Sequence, residues 1–150
     1  MENKTNTDNT PNMAAEMFKA YLDTKKIIYK SDTPSDIWIK TNIKSGNTKS
    51  SIDINVNFSK SEEYVSLLAG NFLVINNDEK YIDIYKLLNR LNMEFKWVKF
   101  YIDEKLGQIF AEQSAIIQYD SCGDEVYSLL ILLLDTVEKT YPEIMKTVWS

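Results

Sequence analysis

The stretch SIDINVNF, residues 51–58, alternates without a break: Ile52, Ile54, Val56 and Phe58 against Asp53, Asn55 and Asn57. Successive side chains of a strand point to opposite faces, so this segment reads as a strand with one buried and one wet face. The same period of two runs through DIWIKTNI, where Ile37, Ile39 and Ile43 alternate with Trp38, Lys40 and Asn42. Between the two, KSGNTKSS at residues 44–51 has the composition of a turn, and IIYK at 27–30 reads as a short extended piece. EYVSLLAGNFLVI at 63–75 is more continuously apolar, as expected of a strand covered on both sides or lying centrally. Further on, EFKWVKFYID and GQIFAEQSAII flank EKLG as a hairpin, with Gly107 as the expected positive-φ residue.

Helical spacing takes over in three places. Thr10 followed by Pro11 is an N-cap and N1 pair, and Met13, Met17, Phe18, Tyr21 and Leu22 then fall on one face. NNDEK at 76–80 carries capping asparagines ahead of a second stripe, Tyr81, Ile84, Tyr85, Leu88 and Leu91. In LLNRLNMEFKW, Asn92 falls where that helix is expected to stop in a left-handed C′ conformation. Asn89 lies one turn earlier, where its amide could hold the exit loop or the last carbonyls. SCGDE opens the last helix with a capping box, Ser121 as N-cap and Asp124 three residues on. It is expected to run to about Thr140, with Pro142 ending it or starting a short turn that holds Ile144, Met145 and Trp149. The predicted order is α-β-β-β-α-β-β-α, an α+β fold with about five antiparallel strands and three helices. Residues 1–9 are polar and aperiodic and read as a disordered tail, leaving 10–150 as a single domain.

The segment from LLNRLN through VEKTYPEI resembles the YbjN-like family. The shared pattern is a helix ending in paired asparagines, a KF-x-ID…G-x-I hairpin and a closing helix with a Tyr-Pro exit. MFKAYLDTKKIIYK resembles the first helix and strand of that family more loosely, so the resemblance covers most of residues 13–145. The family is similar in fold to the type III secretion chaperones, which are small, acidic and usually dimeric. The resemblance therefore implies helices packed against an antiparallel sheet; its motif contains no catalytic signature, and it does not imply a secretion role.

Composition removes several function classes. With 22 acidic against 17 basic residues the formal charge is −5, which disfavours nucleic acid and anionic membrane as partners. The apolar run at residues 129–134 is far short of the ~20 residues needed to span a bilayer, and MENKTNTDNT lacks the marks of a secretory signal, so a cytoplasmic location is expected. There is no histidine, hence no general base of the commonest kind. Cys122 is the only cysteine, excluding an internal disulfide and a cysteine-based zinc site. A helix-start thiol would have its pKa lowered, but no histidine stands by to activate it. The acids in YDSCGDE do not follow EF-hand spacing, and no glycine-rich phosphate loop occurs, so no cofactor and no metal are expected.

What remains is surplus apolar surface. Parity sends Trp38, Trp97 and Tyr101 to the face opposite Ile37, Ile39, Val98, Phe100 and Ile102, among Lys40, Lys96 and Lys99. Aromatic anchors in a polar rim are interface composition; the other reading is that the second helix or the tail covers them. The last helix is apolar around more than one stripe, so it is either central in its layer or meets a second subunit. The expected function is a non-enzymatic, chaperone-like or regulatory adaptor that binds a protein or peptide partner. A homodimer is also expected, with helix 81–91, including Tyr81 and Tyr85, as its first contact and the Trp38, Trp97 and Tyr101 face as its second. The alternative is a small-molecule sensor or enzyme in which Asp103, Glu104, Asp120 or Asp124 converge in a pocket.

Overall fold

The computed structural model describes residues 9–45 and 48–150. The tail expected at the N-terminus and the tip of the turn expected at 44–51 therefore lie largely outside the described residues. The elements follow the predicted order: α1 (Met13–Thr24), β1 (Asp36–Ser45), β2 (Thr48–Phe58), β3 (Tyr64–Gly70), α2 (Tyr81–Glu94), β4 (Lys99–Asp103), β5 (Gln108–Ile116) and α3 (Cys122–Trp149). The strands form one antiparallel sheet in the order β1-β2-β3-β5-β4, so the continuously apolar strand is the central one. The IIYK segment contributes a single bridge, Lys30 to Trp38, on the outer edge of β1. Gly107 turns the second hairpin with φ +63°, as expected.

One face of the sheet is a comb of β-branched and aliphatic side chains, including Ile37, Ile39, Ile52, Ile54, Val56 and Leu67, all within the buried core. α3 lies over it through Val126, Leu130, Leu133, Val137 and Ile144, with Leu129, Leu132 and Leu134 only half-buried and Ile131 exposed. It is the central helix of its layer. Gln113 is buried on the same face, and its amide has no hydrogen-bond partner among the described residues.

α1 starts two residues later than expected. Asn12, not Thr10, is the cap: its Oδ1 accepts from Ala15 N–H at 3.0 Å while its Nδ2 donates to Ser59 O at 2.9 Å, tying the helix start to the end of β2. The buried stripe is Ala14, Ala15, Phe18 and Leu22, whereas Met13 and Met17 are exposed. The reason is the close crossing of α1 and α3. A Cβ on Gly123 would sit 3.2 Å from Met17 O and from Tyr21 Cβ, so small residues must face the crossing.

α3 does not end near Thr140; it runs through Pro142 to Trp149. An interior proline costs about 3 kcal/mol, which must be offset locally. Tyr141 and Ile144, flanking Pro142, are buried, and the Tyr141 hydroxyl shares a 2.7 Å hydrogen bond with Ser50 Oγ. Thr140 Oγ1 also bonds the carbonyl of Thr136 at 2.8 Å. The capping box at the other end of α3 is not formed. Ser121 occupies the cap position, but its hydroxyl donates to Glu125 Oε1 at 2.7 Å, and Asp124 instead accepts from the Tyr21 hydroxyl at 3.2 Å.

The asparagine pair also has a different role from a left-handed cap. α2 continues two residues past Asn92, and the positive-φ residues among those described are Lys26, Glu62, Asn71 and Gly107. Asn92 is helical, and its amide pairs with the exposed edge of β4, donating to Phe100 O at 3.0 Å and accepting from Phe100 N–H at 2.7 Å. It thus stands in for one residue of a missing neighbour strand. The helix end is closed by Lys99, whose Nζ donates to Asn92 O at 2.7 Å and Phe95 O at 2.8 Å, a cation at the negative end of the helix dipole. Asn89 stands exposed on the outer face of α2 and makes none of the tethering contacts expected of it. Losing both Asn92 bonds should cost about 2 kcal/mol. Asn92→Val and Asn92→Gly should therefore both destabilise, glycine at least as much because it also weakens the helix. Urea melts in which Asn92→Gly matches the wild type would restore the cap reading.

Candidate functional site

All three helices cover the same face of the sheet, and the opposite face carries no element of the described chain. Two register rows cross it. One runs Trp38, Asn55, Leu68, Glu112, Lys99, and the other Lys40, Asp53, Gly70, Phe110, Tyr101. The alternation that buries Ile37 and Ile39 therefore delivers Trp38 to the open side, 44% exposed, and Tyr101 at the far edge is 40% exposed. Trp97 lies just ahead of β4 and is 69% exposed, apart from both.

The centre of the face is built by residues that the periodicity of single strands does not single out. Phe110 lies across Gly70, where a Cβ would meet its ring at 2.5 Å, and Tyr101 stacks on Phe110 with centroids 5.6 Å apart and planes at 22°. An aromatic shielding a glycine across the strands substitutes for the side chain that glycine lacks. The Tyr101 hydroxyl is held above its usual pKa, first by burial and then by the carboxylates of Glu112 and Asp103. Beside this stack, Trp38, Asn55, Leu68, Gly70 and Phe110 bound a cavity of about 250 Å³. A larger one, about 460 Å³, lies on the other side of Trp38, walled by Ile28, Tyr29, Lys30 and Lys40. Ile28 is 87% exposed there. Trp38 and Asp53 belong to both cavities.

Tyr81 and Tyr85 are elsewhere, on α2 in the helical layer, where their rings pack with centroids 6.2 Å apart. The Tyr85 hydroxyl donates to Glu104, and that hydrogen bond raises its pKa. Of the five aromatic residues expected at a contact, Trp38 and Tyr101 share the sheet face, Tyr81 and Tyr85 share α2, and Trp97 stands apart from both pairs. Ile82, Tyr85, Asn89 and Met93 line the outer face of α2, all exposed.

Of the four acidic residues only Asp120 and Asp124 share a cavity, of about 350 Å³, which Met17, Tyr21, Thr24 and Gly123 also border. Asp103 Oδ1 accepts the N–H groups of Lys105 and Leu106 at 3.0 and 3.2 Å, shaping its own turn, and Glu104 takes the Tyr85 hydroxyl. Asp120 and Asp124 lie exposed at the start of α3, Asp124 accepting from Tyr21. Among the described residues no three His, Cys, Asp or Glu gather as metal ligands, and no helix is long and apolar enough to cross a membrane. Cys122 is buried, with Sγ 3.2 Å from Ala14 O, and its thiol is pushed up to about 11 by burial and then by Glu125. Burial outweighs the helix dipole that would have lowered it.

No family model matches this chain, and no curated protein matches it. Among solved structures, YbjN of E. coli superposes with a TM-score of 0.59 at 11% identity, covering 86% of this chain and 92% of that one. The ExoU–SpcU complex of the Pseudomonas aeruginosa type III secretion system gives 0.48 at 12% identity over 86% of this chain and 95% of that one. The HopA1–SchA chaperone–effector complex gives 0.46 at 13% over 81% and 90%. The YbjN superposition shows that the fold is YbjN-like, which agrees with the resemblance in the sequence.

The Gly70–Phe110 contact is open to a direct check. Gly70→Ala should destabilise by about 1–3 kcal/mol because the ring must leave its stack with Tyr101. In a Phe110→Ala background the same change should cost almost nothing, giving a coupling above about 1 kcal/mol in a double-mutant cycle. Additive costs would show that the ring does not rest on the glycine.

Proposed function

We propose that this chain is a non-enzymatic protein-interaction module that holds a protein or peptide segment on the uncovered face of its sheet. The observation that carries this reading is the one-sided packing: every helix lies on the face opposite Trp38, Leu68, Phe110 and Tyr101. Completing the burial of each half-exposed aromatic would contribute roughly 1–2 kcal/mol, so a few of them offset only part of the cost of association. Polar contacts and the two cavities would have to supply the rest. YbjN, described as a candidate transcription regulator, supports the same fold.

The test is partner capture from cell extract by the wild type and by Trp38→Ser/Tyr101→Ser, followed by mass spectrometry. A specific partner should fall at least about tenfold with the double variant, since such residues act as anchors. It should be retained by Trp149→Ser, which removes an exposed tryptophan at the end of α3. Recovery that is identical for all three proteins would remove the sheet face from the reading.

A second contact is favoured by the outer stripe of α2, where Ile82 is 68% and Met93 80% exposed beside Tyr85. The spacing of these residues fits a helix pairing with its own copy about a two-fold axis. Tyr85→Glu should then leave a folded monomer in sedimentation velocity, since a carboxylate buried at a contact costs several kcal/mol. A wild type that sediments as a monomer at high micromolar concentration would exclude self-association through this stripe.

A further inference from the structure

The smaller cavity of the open face has a chemistry narrower than that of a general apolar groove. Its polar wall is built around Asp53, which stands across the sheet from Gly70. Asn71 follows Gly70 in the left-handed region, φ +58°, a conformation that asparagine tolerates and most side chains resist. That backbone turn brings the Asn71 Nδ2 to 2.9 Å from Asp53 Oδ2. The carboxylate is therefore fixed by one oxygen, and among the described residues Oδ1 accepts no hydrogen bond. Asn55 spends its Nδ2 on Asp36 Oδ1 at 3.4 Å, which leaves its carbonyl oxygen as the group it can offer. Trp38 and Phe110 supply aromatic walls, the Phe110 ring resting over Gly70.

The wall thus holds a carboxylate, amide groups and aromatic rings, and no cationic side chain. Lys40, the cross-strand neighbour of Asp53, borders the larger cavity instead and makes no ion pair with it among the described residues. Such a site fits a planar cation that has only donors to offer and can stack on a ring. A guanidinium has those properties, whereas an ammonium is a compact and strongly hydrated point charge. The cavity, about 250 Å³, is the size of a single side chain rather than of a chain segment. The net charge of −5 favours approach of a basic partner.

We propose that the cavity between Trp38 and Phe110 is an anchor for an arginine side chain of the protein partner, its guanidinium on the Asp53 carboxylate and against the Trp38 ring. This rests on the sheet-face reading above and names what that face selects.

The probe is N-acetyl-arginine-N-methylamide, titrated into the ¹⁵N-labelled full chain, with the isosteric uncharged citrulline compound and the lysine compound as controls. The expected result is movement of the Trp38 indole N–H and the Gly70 and Asn71 amides. The citrulline compound should bind at least about tenfold more weakly, and Asp53→Asn should weaken the arginine compound by a similar factor. Should Asp53→Asn lose the dispersed spectrum of a folded chain, Trp38→Leu, at an exposed position, serves the same comparison. Equal binding of arginine and citrulline compounds, tighter binding of the lysine compound, or shifts centred on Trp97 or Trp149 would overturn the proposal. If the arginine compound leaves Trp38 unmoved while partner capture still depends on Trp38 and Tyr101, the arginine anchor is wrong and the sheet face stands. Capture that is indifferent to Trp38 and Tyr101 removes the sheet face itself.

Discussion

The packing of α3 onto the isoleucine and valine comb of the sheet is the contact on which the rest of the molecule depends. Ile37, Ile39, Ile52, Ile54 and Val56 are all buried on one side, and Val126, Leu130, Leu133 and Val137 meet them from above. Each such side chain removed from water contributes roughly 1.5–3 kcal/mol, so no other set of contacts in the chain competes with this one. α1 is then fixed by its crossing at Gly123 and Cys122, and α2 by its place beside α3 and β4. With all three helices drawn to the comb, the second face of the sheet is left without cover. The open aromatic face and the buried core are two results of one alternation.

That alternation is why most of the fold was legible in the sequence. Period two in residues 37–43 and 52–58 assigns strands and faces together, because shifting a strand by one residue would expose its entire apolar set. What was not legible depended on neighbours distant in the chain. Met13 and Met17 satisfy helical spacing as well as Ala14 and Ala15 do, and only the tight crossing with α3 selects the alanines. Pro142 looks like a stop until Tyr141 and Ile144 on either side of it are seen in the core. Asn92 has the composition and position of a helix cap but makes its bonds elsewhere. Its partner, the edge of β4, is brought beside it by the turn at residues 95–98.

The site was legible in the same uneven way. Parity placed Trp38 and Tyr101 on one face, but each is a property of its own strand, and the cavity between them is a property of strand order. Gly70 and Phe110 come from strands that are neighbours only because β5, and not β4, pairs with β3. Asn71 carried a weak signal, an asparagine following a glycine where an apolar run breaks, which is the composition of a positive-φ position. Tyr81 and Tyr85 shared the aromatic character of the sheet residues but not their period, and the helix takes them to a separate surface.

An unpaired sheet edge invites edge-to-edge aggregation, and here each edge is engaged in part by a different device. β4 is short, and the backbone of Phe100 is already paired with the Asn92 amide. β1 is bridged by Lys30 at Trp38, and further along its Lys44 N–H donates to Glu138 Oε1 at 3.0 Å. At Trp38, Lys44 and Phe100, backbone groups through which a partner would add a strand are thus engaged within the chain. A segment docked on the face as proposed would meet those positions through side chains rather than through a continued ladder. Recognition would then fall to the few positions where the face departs from a flat polar sheet: the Trp38 wall, the Tyr101–Phe110 stack over Gly70, and the cavity between them.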